Sequence, residues 1–440
     1  MKNNRPAGSI ATTLAALILL VAMATAAAVE VRIDLFRPGE KRVRIAVPHF
    51  VSRSPYTKDN LGRQVAEIVA YDLDFSGYFQ VLDSAQYPPD FLMLDPKPRR
   101  INFPRWRQVK ARDLVHGLYT TRNGNVDIEC RLFDVPEGRQ IIGKAYRGER
   151  NLVRRIAHRF ADEIVLAHTG RLGIAHTKIA FTSTSTGAKE IFVCDYDGEN
   201  MRQLTRDRNI ALSPNWSPDS TRISYTSYKD GNPDLYIMTA DGSSSAMVSG
   251  VHGLNTAACW SPNGDTLALT LSKDGNAEIY IKEINSGRIR RLTHGRAIDT
   301  APSFSPDGSH LAFVSDRSGS PQIWVMGLDG RNLRRISYQG GRSFTPDWSP
   351  LGDKIAYVVD VPGEGMQIFV MDADGSNPKQ LTREPGWNQE PTWSPNGTHI
   401  VFGSTRAGRS NIYTMRADDS EKPRRVTFLG GENGLPAWSN

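Results

Sequence analysis

Cysteine is nearly missing from this chain: Cys130, Cys194 and Cys259 are the only ones in 440 residues. Thiols so few and scattered make no disulfide framework and leave room for at most one bridge. Long apolar runs are as scarce. A single one extends from Ile10 to about Met23, and nothing later approaches the roughly 18 apolar residues of a membrane-spanning helix. Lys2 and Arg5 precede that run and small residues from Ala24 to Ala28 follow it, the layout of a cleaved secretory signal. Residues 1–28 are therefore expected to be removed and the remainder exported, with no membrane span. Charge of one sign is lacking too, since loss of Lys2 and Arg5 leaves 52 basic residues against 47 acidic. The densest basic run, Lys97, Arg99, Arg100, Arg105, Arg107, Lys110 and Arg112, is broken by Pro98, Phe103, Pro104 and Trp106. It reads as a solvated face or loop, so no nucleic-acid partner is expected.

Signatures of chemistry are missing as well. Gly242, Gly341 and Gly408 each have Ser two positions on, but Ala246, Thr345 and Ile412 stand where a nucleophile elbow needs its final Gly. The nine His residues show no H-E-x-x-H spacing, the cysteines no paired spacing, and no P-loop or Rossmann glycine run occurs. Asp-Gly pairs at Asp197, Asp241, Asp329 and Asp374 read as turns rather than as acid–base or metal sites. No catalytic, cofactor-binding or metal-binding residue is assigned, and the protein is not expected to be an enzyme.

What the sequence has in abundance is one phrase. WSPDS, WSPNGD, FSPDGS, WSPLGD and WSPNGT align on Trp216, Trp260, Phe304, Trp348 and Trp393, and the chain closes on Trp438; the steps are 44, 44, 44, 45 and 45 residues. In each copy Pro presets φ, Asp or Asn bonds back to its own backbone, and Gly accepts the left-handed conformation that closes a hairpin. Ser220 replaces the usual Gly and Leu351 the usual Asp or Asn, so those two turns are expected to be looser. The aromatic should point between neighbouring sheets. Each period also holds a strand just after the turn, such as RISYTS or HLAFVS, then an alternating strand, such as LYIMTADG, and a short one, four strands in all, the dimensions of a β-propeller blade. The repeat region opens near Thr177 with the second strand of a unit, and the chain ends on LPAWSN, the strand that unit lacks. This phase predicts a ring of six blades over 177–440, closed by the C-terminal strand.

Residues 29–168 read differently, as an α/β domain. Strands are expected at VEVRIDLF, VRIAVPHF, YFQVLD, DLVHGLYTT, VDIECRLFDV and QIIGKAYRG, with helices over Asn60 to about Asp74 and Asn151 to about His168. Residues 169–176 form a linker. The expected architecture is an α/β N-terminal domain followed by an all-β six-bladed β-propeller.

An exported α/β domain joined to a six-fold W-S-P-D-G propeller resembles the TolB family of the Tol-Pal system of Gram-negative bacteria. More specific than the phrase are VEVRIDLF, DLDFSGYFQVLD at 72–83, KIAFTS with DYDGEN at 195–200, and the closing LPAWS. The resemblance implies a periplasmic, non-enzymatic binding protein that bridges the C-terminal domain of TolA and the outer-membrane lipoprotein Pal, serving outer-membrane integrity and constriction at cell division, with colicins using the same surfaces in some species. The alternatives are an exported lactonase- or glycosidase-type propeller and a glycan-binding propeller.

Two sites follow. Val29, Val31, Ile33 and Leu35 alternate with Glu30, Arg32 and Asp34, the period of a strand with one apolar face. Taken alone, that is an edge strand of the α/β domain. A free end left by signal cleavage can instead add to another protein's sheet, and the resemblance makes TolA that partner for Val29, Glu30, Val31, Arg32, Ile33 and Asp34. The second site is the mouth of the channel, where one residue per blade is expected from the start of each inner strand: Leu212, Leu254, Thr300, Thr345, Glu390 and Leu435. These either pack the channel or meet Pal, and the resemblance favours the latter for Leu254 and Thr300.

Overall fold

The computed structural model describes residues 42–54, 59–89, 101–384 and 386–440. The expected signal and the strand 29–36 lie outside the described residues, as do Lys97, Arg99 and Arg100. The first domain is one mixed sheet with the order β3-β1-β4-β5-β6, built from β1 (Val43–Ala46), β3 (Phe79–Val81), β4 (Asp113–Arg122), β5 (Asn125–Asp134) and β6 (Arg139–Glu149); the short β2 (Val51–Ser52) also pairs with β4. Helices α1 (Leu61–Ser76) and α3 (Val153–Thr169) bury their apolar stripes, Val65, Val69 and Leu73 with Ile156, Phe160 and Ile164, in one core with the sheet. The basic run is not simply a loop: Phe103–Gln108 forms a short helix, α2, because Trp106 is buried against Tyr87 and Leu114 while its arginines stay outside. All three cysteines are free.

Six four-stranded antiparallel sheets make the propeller. The inner strands are Ala211–Trp216, Asn255–Trp260, Asp299–Phe304, Ser343–Trp348, Asn388–Trp393 and Asn433–Trp438. The last pairs with Lys178–Thr186, with Trp438 opposite Ile179, so the final strand completes the first blade. The phrase aromatics do enter the seams between blades, where three indole N–H groups bind the preceding blade: Trp216 Nε1 donates to the Ala437 carbonyl (3.2 Å), Trp260 Nε1 to that of Asn215 (3.1 Å) and Trp393 Nε1 to that of Asp347 (3.0 Å), while Trp348 Nε1 turns to its own Gly352 carbonyl (3.2 Å). The expected looseness at Ser220 is absent, since Ser220 takes φ 55°, the conformation glycine holds elsewhere.

Hairpin connectivity puts the phrase turns and the turns after each third strand on one face of the ring. The α/β domain sits on that face. The end of α1 is its plug: Phe75 stacks on His399 at 4.5 Å and meets Tyr196 edge-on at 4.9 Å. Carbonyls that a helix leaves unpaired at its C-terminus are capped from the propeller, Phe75 O by His399 Nε2 (3.0 Å) and Ser76 O by Arg416 Nη1 (2.8 Å). With Nδ1 of His399 against the Thr398 hydroxyl (2.7 Å), the ring is held neutral, and burial pushes its pKa down to about 3. Asp72 accepts from Tyr196 and faces His158 Nδ1 (2.7 Å), Asp74 accepts from Arg424 (3.0 Å), and Arg154 pairs with Asp197. Gly77 ends α1 at φ 76°, and a Cβ there would lie 1.6 Å from Arg416 Nη1. Gly77→Ala is therefore expected to cost about 2 kcal/mol or more in urea unfolding, from left-handed strain and loss of the Arg416 cap.

Candidate functional site

The opposite face of the propeller carries the loops that lead into the inner strands, and among the described residues the hydrogen bonds from the α/β domain to the propeller fall on the joint side instead. Each inner strand is bulged at the same place. The residue three before the aromatic takes a positive φ, Ser213 53°, Ala257 52°, Ala301 51°, Thr345 42°, Glu390 57° and Leu435 51°, and the ladder slips by one there. Side-chain-bearing residues take this conformation at a cost, and six of them in register turn the strand edges toward the axis. They line a channel cavity of about 150 Å³ walled by Pro214, Pro302, Pro346, Pro391 and Pro436.

The six expected mouth residues do not form one ring. Thr345, Glu390 and Leu435 are bulge residues inside the channel. Leu212 and Thr300 lie one residue earlier, half-buried and paired with Thr226 and Val314. Leu254 alone sits six before its aromatic, out on the rim. The expectation took the strand start from the text of each repeat, and the bulge hides the register from the letters.

Counted from the aromatics, the position of Leu254 continues as Ile298, Arg342, Trp387, Glu432 and Ile210. Around the ring this gives an aliphatic arc, Ile210, Leu254 and Ile298, on three consecutive blades. Two aromatics, Tyr338 and Phe428, stand in the loops nearby. These five large apolar side chains and Trp387 are 38 to 74 % exposed. Their backbones are nevertheless fixed. The carbonyls of Ile210, Arg342 and Trp387 accept the N–H of Tyr228, Asp360 and Thr405 (2.9, 2.9 and 3.0 Å), and the N–H groups of Leu254 and Trp387 donate to the hydroxyls of Ser272 and Thr405 (both 2.9 Å). Buried polar residues next along the strand brace the loops: Asn255 donates to the carbonyls of Val251 (2.7 Å) and Gly253 (3.1 Å), and Asp299 takes both bonds from Arg317 (3.0 and 2.7 Å). Outward apolar groups on a fixed backbone are what a preorganised protein-binding surface needs.

Among the described residues that line the channel, Asp347 and Glu390 are the charged ones. Burial raises Glu390 even though it accepts the Leu435 N–H (2.5 Å), and burial pushes Asp347 up to about 7 even though it accepts the Trp393 N–H (2.8 Å). A carboxyl raised on folding contributes stability while protonated and loses it as pH climbs through its folded pKa. Between pH 5 and 8 the parent should therefore lose on the order of 1–2 kcal/mol relative to Asp347→Asn, with channel water screening the rest. Parallel unfolding curves for the two proteins across that range would remove Asp347 as the cause.

The family model described as the TolB beta propeller domain matches residues 166–366 and 341–440, and that described as the TolB amino-terminal domain matches 31–141. The chain is 38% identical over 208 residues to the Tol-Pal system protein TolB of Syntrophotalea carbinolica, covering 47% of each chain, and 39% identical over 210 residues to that of Geobacter sulfurreducens, covering 48% of each. The matches span about half the length of these curated relatives. The crystal structure of TolB from Acinetobacter baumannii superimposes with a TM-score of 0.79 at 25% identity, covering 91% of this chain and 97% of that one.

Proposed function

Because this chain belongs to the TolB family, whose propeller model alone matches more than half of it, we propose that it is a non-enzymatic periplasmic binding component of the Tol-Pal system. In this reading the rim of the channel takes the lipoprotein Pal, the N-terminal strand takes the C-terminal domain of TolA, and the pair serves outer-membrane integrity and constriction at division. The observation that carries it is the rim: large apolar side chains held outward on a braced loop face, across the ring from the domain joint. Among the described residues no helix is long and apolar enough to cross a membrane. The raised carboxyls of the channel fit a wall that closes the ring better than an acid–base pair, since each already accepts a main-chain N–H from the next blade.

The N-terminal half of the proposal has its own test. A chain beginning at Phe36 lacks the alternating Val29, Val31 and Ile33, and an added strand draws affinity from its backbone ladder and specificity from alternate side chains. That shortened protein is expected to fold, to keep lipoprotein binding, and to lose TolA binding at least a hundredfold by calorimetric titration. Undiminished TolA binding would move the contact elsewhere on the molecule.

A further inference from the structure

On the joint side of the ring a second cavity, about 320 Å³, opens between the linker and the phrase turns; Arg171, Leu172, His176, Leu351, Pro395 and Asn396 are among its lining. Its position beneath the turns separates it from the rim. Leu351 is the residue that broke the repeat. In four other turns the Asp or Asn at this position accepts from the Ser two residues before: Ser217 to Asp219 (2.6 Å), Ser261 to Asn263 (2.6 Å), Ser305 to Asp307 (2.5 Å) and Ser394 to Asn396 (3.0 Å). In the fifth, Ser349 turns to Asp353 instead (3.1 Å), and the leucine stands exposed. The leucine gains a contact with Gly397 of the next turn, where a Cβ would lie 2.8 Å from its Cγ, yet much of its side chain still faces the cavity. Leu172, on the linker, is the other exposed apolar group of the cavity.

The polar groups define the ligand. His176 is tied to Asp162 (2.6 Å) and Asn396 to Thr398 (2.7 Å) and the Leu172 carbonyl (3.4 Å). The main-chain oxygen of Asn440 is engaged by the Ser220 hydroxyl (2.8 Å). The Arg171 guanidinium makes no ion pair with any described residue, and no acidic side chain lines the cavity. None of the lining residues belongs to a strand, so an extended peptide would find no ladder to join. A ligand with one anionic end and an apolar body fits these walls.

We propose that this cavity binds an aliphatic monocarboxylate of the fatty-acid class, with the tail between Leu172, Leu351 and Pro395 and the carboxylate on Arg171. The test titrates the full chain with dodecanoate, below its micelle concentration, and with dodecan-1-ol as the uncharged counterpart. The parent should bind dodecanoate saturably at one site. Leu351→Asp restores the turn hydrogen bond in exchange for the leucine's contact with Gly397, so the chain should stay folded with a melting temperature close to the parent's while dodecanoate weakens at least tenfold. Arg171→Gln should lower dodecanoate affinity to that of dodecanol and leave dodecanol unaffected. Absence of saturable binding by the parent, parental affinity in Leu351→Asp, or an unchanged dodecanoate affinity in Arg171→Gln overturns the assignment.

Discussion

Deletion of Leu435–Asn440 is expected to abolish cooperative unfolding of the propeller. The six residues remove most of the inner strand of the first blade and with it Trp438, which is buried against Ile179 and Val401. They also remove two main-chain anchors, Lys178 N–H to Ser439 Oγ and Ser439 N–H to Lys178 O (both 2.9 Å), the Trp438 indole bond to Thr177 (2.8 Å), and the Ala437 carbonyl that receives Trp216 Nε1 (3.2 Å). Loss of one buried tryptophan costs about 3–5 kcal/mol, and four hydrogen bonds add about 1 kcal/mol each, more where a buried partner is orphaned. The sum is comparable with the whole stability of a domain, about 5–15 kcal/mol. Calorimetry or near-ultraviolet dichroism should show the main transition replaced by a broad one. A truncated chain that melts like the full one would mean that the ring does not depend on this closure.

Charging the rim should have the largest effect on binding. Ile298→Asp combined with Trp387→Asp places two carboxylates where an apolar partner surface must be desolvated, and hot-spot residues of this kind carry about 2–4 kcal/mol each. Pal affinity is expected to fall at least a hundredfold. Both side chains are more than half exposed, so the melting temperature should stay within about a degree. The bulge residues would give a poorer test. Glu390→Arg would orphan the Leu435 N–H and force a guanidinium into the channel wall, so lost binding could not be told from lost structure. A rim variant that keeps parental affinity would place the lipoprotein on another face.

The repeat arithmetic carried the propeller because a period of 44 or 45 residues is set by strand and turn lengths that every blade must share. Ring closure was legible for the same reason, as a strand missing at one end and present at the other. The rim was written in the same period, in Ile210, Leu254, Ile298 and Trp387, yet it was missed. The prolines mark the inner strands but not their register, because a bulge that moves the register by one is set by backbone conformation, which no single letter announces. The stretches DLDFSG and DYDGEN carry part of the family resemblance, and the structure supplies their physical reason. Asp72, Asp74, Phe75, Ser76, Gly77, Asp195, Tyr196 and Asp197 are the joint between the domains. Such contacts join residues 41 to 350 positions apart across two domains of different pattern, so periodicity cannot reveal them. Trp106 made a helix of an apparent loop because one buried aromatic outweighs the solvation of its basic neighbours.

The two proposed binding sites, one on the rim and one on the N-terminal strand, are separated most directly by one calorimetric comparison: Pal and the C-terminal domain of TolA, each titrated into the parent, the Ile298→Asp/Trp387→Asp variant and the chain beginning at Phe36. The expected result is a crossed loss, with the rim variant failing only with Pal and the shortened chain failing only with TolA. Loss of both partners by either variant, or of neither partner by both, would contradict the two-site arrangement.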